Sequence, residues 1–231
     1  RYWDYEQRVA ADLLARAAGM IEQEPDLAVE LENRFVDAGQ RQAARIALGR
    51  RLALISGGPG TGKTHTLARI IGLLQSRHPA QRILLAAPTG KAAARMTEAL
   101  RSAGVTVEAE ARTLHRLLGV RADGSGFRHH RDNLLAADVL VVDEASMIDL
   151  SLMAHLLDAL PAAAQLILLG DRNQLSAVEA GAVFADLCDS PQLAGAVATL
   201  STSFRFSAES GVGRLAECLR TGDAAGAMDQ L

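Results

Sequence analysis

The chain has 231 residues, room for one full α/β domain with pieces of others. Apolar residues make up 49% and aromatics only 3%, so a sizeable core must be built from Ala, Leu, Val and Ile, and no segment reads as a membrane span or signal peptide. A net charge of -3 argues against bulk attraction to nucleic acid, while leaving room for a groove lined by a few cations.

Two cysteines, Cys188 and Cys218, lack metal-type spacing and read as free thiols of a cytoplasmic protein with no membrane association. The start at Arg1 and the end at Leu231 read as the limits of a fragment. Residues 1–38 read as the end of a preceding helical domain and a connector. Tyr2, Trp3 and Tyr5 cluster there, and Val9, Leu13, Leu14 and Ala17 repeat at helical spacing. The acidic residues Glu22, Glu24, Asp26, Glu30 and Glu32 read as a solvated charged face.

Residues 39–203 alternate short apolar runs with helical stretches. Strands are expected at Leu52–Ser56, Arg82–Ala87, Val139–Asp143, Leu166–Gly170 and Val197–Leu200. Several are apolar at consecutive positions, which suits strands covered on both faces. The expected fold is α/β, a doubly wound, mostly parallel sheet with helices on both faces and ligands outside the carboxyl ends of its strands.

The first strand runs into Gly57-Gly58-Pro59-Gly60-Thr61-Gly62-Lys63-Thr64, which matches G-x-x-x-x-G-K-[ST] at every fixed position. A helix from His65 to Arg77 follows, with Leu67, Ile70, Ile71 and Leu74 on one face. The glycines allow a tight turn whose N–H groups converge on one anion, and the helix N-terminus adds its dipole. Residues Gly58 to His65 are therefore the expected nucleoside triphosphate contacts. Lys63 reaches the β- and γ-phosphates, and the Thr64 hydroxyl holds Mg²⁺.

The second strand ends in Pro88-Thr89-Gly90-Lys91, a composition suited to a phosphodiester backbone. Thr89 also fits the N-cap of a helix running to Ala103, with Gly104 as its stop. In Thr113-Leu114-His115-Arg116-Leu117-Leu118-Gly119, His115 by itself reads as structural. Residues 121–133 read as a polar surface loop, and His129-His130 lacks a third metal ligand.

Val139-Leu140-Val141-Val142 delivers Asp143 and Glu144 to a strand end expected beside the phosphate-loop strand. Asp143 is the expected Mg²⁺ ligand opposite Thr64, and Glu144 the base that orients the attacking water. A helix over Asp149–Leu160 buries Met153, Leu156, Leu157 and Leu160. After the next strand, Gln174 suits a γ-phosphate sensor. Phe204-Arg205-Phe206 places an arginine near the domain end, where it can be structural or can stabilise a transferring phosphoryl group. Residues 204–231 read as the start of a second, truncated unit, with Val212, Leu215, Ala216 and Leu219 on one helical face.

Taken in order, these stretches resemble superfamily 1 helicases, and among them the RecD family of exodeoxyribonuclease V alpha subunits. The most specific runs are Pro88-Thr-Gly-Lys-Ala-Ala-Ala-Arg95 and Asp143-Glu-Ala-Ser-Met-Ile-Asp149. The resemblance implies a RecA-like P-loop NTPase domain, the first of two motor domains. It also implies an ATP-driven, Mg²⁺-dependent motor moving 5′ to 3′ on single-stranded DNA, with RecB-like and RecC-like partner subunits. It assigns adenine contact to Gln40, DNA contact to Pro88, Thr89, Gly90, Lys91, Thr113 and His115, coupling to Gln174, and γ-phosphate contact to Arg205. The family's last motifs lie beyond Leu231, and the segment between Cys188 and Leu200 is short for the family. A stand-alone RecD-like or relaxase-linked helicase, a non-motor switch ATPase and a non-hydrolysing scaffold remain alternatives.

Overall fold

A computed structural model of the chain describes residues 2–106, 110–121, 124, 126–174, 183–202, 204, 218 and 222–228. Among these, six strands form one sheet: β1 (Leu52–Gly57), β2 (Ile83–Ala87), β3 (Arg112–Thr113), β4 (Val139–Val142), β5 (Gln165–Gly170) and β6 (Val197–Leu200). Every pairing is parallel, in the order β3-β2-β4-β5-β1-β6. The α-helices are α1 (Tyr2–Ala18), α2 (Leu27–Arg34), α3 (Ala38–Gly49), α4 (Lys63–Arg77), α5 (Gly90–Ser102), α6 (Leu114–Leu118), α7 (Leu150–Ala159), α8 (Val183–Asp189) and α9 (Ala224–Met228).

The consecutive apolar residues of the strands divide between two cores. Leu52, Leu54, Leu140, Val142, Leu166 and Leu168 join one cluster with α1, α6, α7 and α8. Ala53, Ile55, Val139, Val141, Ile167 and Leu169 join the other with α2, α3, α4 and α5. Successive strand residues point to opposite faces, so an uninterrupted apolar run needs a helical layer on each side. The stripes read on α4 and α7 are buried as expected.

Chain polarity places the site. All six strands end on one edge, and α4, α5, α6 and α7 begin there. Thr89, Thr113 and Asp149 each cap the following helix, accepting from Ala92, Arg116 and Leu152 at 3.2, 3.2 and 2.8 Å. Helix α5 stops in a Schellman motif: Val105 N–H donates to Leu100 O and Gly104 N–H to Arg101 O, both at 3.0 Å, with Gly104 at φ 74°.

Four regions depart from the sequence expectation, the first being Arg112–Thr113, which pairs with β2 as a strand where none was expected. The acidic stretch is not simply a solvated face. Part of it forms α2, which buries Leu27 and Leu31, and Arg77 at the end of α4 pairs with Glu24, Asp26 and Glu30 at 2.9, 3.1 and 2.7 Å. A cation far along the chain leaves no mark on the local charge pattern. Helix α1 packs on α7, with Tyr5, Val9 and Leu13 in the shared core and Leu14 exposed at the surface. Its buried Arg16 donates to the carbonyls of Leu160, Pro161 and Ala164 at 3.2, 3.1 and 2.7 Å, satisfying acceptors at and beyond the end of α7. Around residues 121–133, expected as a polar loop, Val120 pairs with Phe127 and His130 with Asn133 in isolated antiparallel bridges. Among the described residues no helix is long and apolar enough to cross a membrane.

Candidate active site

The phosphate loop leaves β1 at Gly57 and enters α4 at Lys63. Gly62, the N-cap, has φ 77° in the left-handed region, where an L side chain is strained. A Cβ on Gly57 would lie 2.5 Å from Thr61 Oγ1 and 3.0 Å from Leu200 Cβ, so only glycine fits between loop and sheet. Thr61 donates its hydroxyl to Gly58 O at 2.8 Å and Thr66 to Gly62 O at 2.9 Å, stiffening the turn. The Lys63 ammonium curls back, donating to the carbonyls of Gly57 and Gly58. It therefore lies over the loop that an anionic phosphate would occupy. Thr64 is half-buried, while Pro59 and His65 are exposed on the outer side.

Gln40 is buried on α3, and its Nε2 stands 3.0 Å from the point where a Cβ on Gly62 would sit. Its backbone N–H donates at 2.9 Å to Asp37, the α3 N-cap, which also accepts from Thr202 Oγ1 at 2.8 Å. The N–H of Gln40 holds the Asp37 carboxyl below the usual range, against the opposing effect of burial. Phe204 N–H donates to Gly60 O at 2.9 Å, so the chain leaving β6 is tied to the phosphate loop. Arg205, one residue later, lies outside the described residues, as do most of the residues read as a second unit.

Asp143 and Glu144 follow β4, but β5 stands between β4 and β1, where direct adjacency was expected. With strands spaced about 4.8 Å apart, a non-neighbour lies about 10 Å away. The acidic pair must therefore reach across the end of β5. Burial pushes the Asp143 carboxyl up and the Glu144 carboxylate adds to this, while the Glu144 N–H, donating at 2.8 Å, and the Lys63 ammonium oppose it. Glu144 has φ 54°, the sole non-glycine positive φ among the described residues. Such strain survives only where surrounding structure enforces it. A 3-10 turn over Ala145–Met147 follows and buries Ser146.

The Ser146 hydroxyl donates to Gln174 Oε1 at 3.0 Å. Gln174 is exposed and sits in the loop after β5, so this bond ties the β4 and β5 ends together. The approach is close: a Cβ on Gly170 would meet Phe184 at 2.8 Å and Ser146 N at 3.0 Å. Sequence reasoning missed Ser146 and Asp37. The position of Ser146 directly after Ala145 in the acidic motif was the available signal, and the Asp-x-x-Gln spacing of Asp37 and Gln40 is that of a helix N-cap.

A second constellation lies at the β2 and β3 ends. The pairing Ala87↔Thr113 sets Pro88, Thr89, Gly90 and Lys91 beside Thr113 and His115. Lys91 and His115 are exposed, whereas Thr89 and Thr113 spend their hydroxyls on helix caps. The helix starts still present backbone N–H groups at this edge. Cys188 is buried and burial pushes its thiol up to about 12, so it is an inert core residue. Among the described residues no group of three or more His, Cys, Asp or Glu side chains is placed to hold a metal ion.

Two relatives share this sequence and one solved structure shares the fold. The RecBCD enzyme subunit RecD of Mycolicibacterium smegmatis is 47% identical, across 99% of this chain and 43% of the relative. The ATP-dependent RecD2 DNA helicase of Deinococcus radiodurans is 42% identical across 58% of this chain and 17% of the relative. The structure of a Bacteroides Pif1 bound to ssDNA superposes with a TM-score of 0.52 at 20% identity, covering 84% of this chain and 48% of that one. The chain thus spans less than half the length of the curated relatives it matches. The sequence profile of the family described as "AAA domain" matches residues 40–180, from Gln40 through the phosphate loop and the acidic pair, and the chain belongs to that family, with RecD subunits as homologues over nearly all of its length.

Proposed function

We propose that the chain is the first motor domain of an ATP-dependent 5′–3′ DNA helicase subunit of an exodeoxyribonuclease V (RecBCD) complex, acting in the cytoplasm in double-strand break repair and homologous recombination. The observation that carries this reading is the gathering at one sheet edge of a phosphate loop and an adjacent Asp–Glu pair. They occur in a chain 47% identical to a RecD subunit over 99% of its length. In this reading residues 39–203 form the motor domain, 1–38 close a preceding helical domain, and 204–231 open a second motor domain. RecB-like and RecC-like subunits complete the heterotrimer.

The chemistry follows from the side chains. The N–H groups at the α4 start and Lys63 bind the β- and γ-phosphates of ATP, displacing the lysine from its own loop carbonyls. Gln40 borders the loop at Gly62, within reach of the nucleotide's base side. A buried carboxylate crowded by a second one is a donor set that a hard divalent cation relieves, and Thr64 and Asp143 offer such oxygens. When bound, Mg²⁺ neutralises charge on the β- and γ-phosphates. Glu144 takes the proton of the attacking water, held in place by its enforced backbone. Gln174, bonded to Ser146, senses the γ-phosphate, and Arg205 reaches it when the second motor domain closes. Thr89, Lys91, Thr113 and His115 hold single-stranded DNA at the β2 and β3 ends, mainly through its phosphates.

The test is steady-state ATP hydrolysis by the full-length protein, with and without single-stranded DNA, beside Lys63→Ala. DNA stimulation that disappears in the variant supports the motor. Hydrolysis indifferent to DNA favours a switch ATPase and removes the DNA-side assignments.

A further inference from the structure

A pocket of about 340 Å³ opens between α1, α6, the start of α7 and Phe127, and of its lining the reading above uses only His115. Tyr5, His115, Phe127, Asp149, Ser151 and His155 line it, with the exposed Tyr2 at its rim. Its rings form a chain of contacts: His115 to Phe127 at 5.9 Å, Phe127 to His155 at 5.2 Å, and His155 to Tyr5 at 5.8 Å. Successive planes are inclined at 56°, 63° and 63°, so the rings do not stack on one another and form a faceted cradle. In a chain with only 3% aromatics, this concentration of rings is not a by-product of core composition.

We propose that this pocket receives one unstacked base of a single-stranded nucleic acid, a contact distinct from the backbone contacts at the β2 and β3 ends. Three observations converge. The lining offers π-faces, on which bases of any sequence stack. It also offers polar groups. Asp149 caps α7 through Oδ1, and a carboxylate has capacity for a further donor, which every base presents on its Watson–Crick edge. Finally, His115 lies two residues after Thr113, so the pocket adjoins the proposed DNA path. On the α6 side Arg112, Arg116, Arg121 and Arg128 are exposed, while the α1 side carries the exposed Asp4 and Glu6. Phosphates passing over these arginines would bring a base to the mouth of the pocket.

The inference deepens the proposed DNA-binding role, and the experiment separates the two. The full-length protein, free of nucleotide, is titrated with a labelled oligothymidylate and with an abasic oligonucleotide of equal length. Phe127→Leu keeps bulk but loses the aromatic face, and Tyr2→Ala trims an exposed rim. The expected result is binding to oligothymidylate about five- to a hundredfold weaker in Phe127→Leu, a smaller loss in Tyr2→Ala, and unchanged binding to the abasic strand. Equal losses on both strands, or no loss in either variant, overturn the proposal. Lys91→Ala reports on the backbone path: it should weaken both strands alike. If it has no effect while Phe127→Leu still discriminates, the path at β2 and β3 is wrong and the base pocket stands.

Discussion

At the β1 end, the candidate chemistry is held by backbone that tolerates little else. Gly62 sits at φ 77° and Gly57 has no room for a Cβ, and at the β4 end, two strands away, Glu144 is forced to φ 54°. At the β2 and β3 ends, Thr89 and Thr113 are ordinary helix caps in extended conformation, and Lys91 and His115 lie in the open. Phosphoryl transfer demands reacting groups placed to a fraction of an ångström, whereas gripping a moving strand needs contacts that form and release. Strain and close packing therefore gather around the nucleotide-side groups at the β1, β5 and β4 ends, while the candidate strand contacts at the β2 and β3 ends sit on ordinary helix caps.

Substitutions test that contrast. Lys63→Ala should have the largest effect, a loss of hydrolysis of about 10²–10³-fold or more, since it removes charge aimed at the phosphates. Glu144→Gln should lower turnover by about 10²–10⁴-fold while nucleotide binding, followed by a fluorescent analogue, persists. Glu144→Gly should be as inactive yet no less stable. A left-handed L residue costs about 1–2 kcal/mol and glycine's extra chain entropy about 0.5–1 kcal/mol, so the melting temperature should hold or rise. A clear drop in melting temperature would mean that Glu144 is not strained.

Smaller effects probe the ties between strand ends. Ser146→Ala removes a bond worth about 0.5–1.5 kcal/mol and should reduce the DNA stimulation of hydrolysis more than the basal rate. Equal reduction would make Ser146 merely structural. Asp37→Ala should cost about 1 kcal/mol in urea unfolding at neutral pH, through loss of the α3 cap. The Asp37 carboxyl is depressed in the folded chain. Its stabilising share is thus complete above the ordinary carboxylate value near about 4 and is lost as pH falls through the folded value. The gap between variant and parent should narrow at acid pH. Arg77→Ala should cost least, about 1 kcal/mol or below, because two of its three carboxylate partners are largely exposed.

By itself the sequence determined the parallel, two-faced sheet, because runs such as Leu52–Ile55 and Val139–Val142 leave no polar face for solvent. It also determined the phosphate loop, the helix start at Thr89 and the helix stop at Gly104, where local stereochemistry admits few residues. Only the tertiary structure decided that β5 separates the acidic pair from the loop strand, since strand order depends on packing across the whole sheet and not on any local pattern. The same holds for the Ser146–Gln174 bond, the Arg77 cluster with Glu24, Asp26 and Glu30, and the meeting of Tyr5 with Phe127 around His155. Each joins residues far apart in the chain, and the physical reason is common to all: a polar or aromatic side chain advertises what it can bond to, but only the folded backbone decides what it meets.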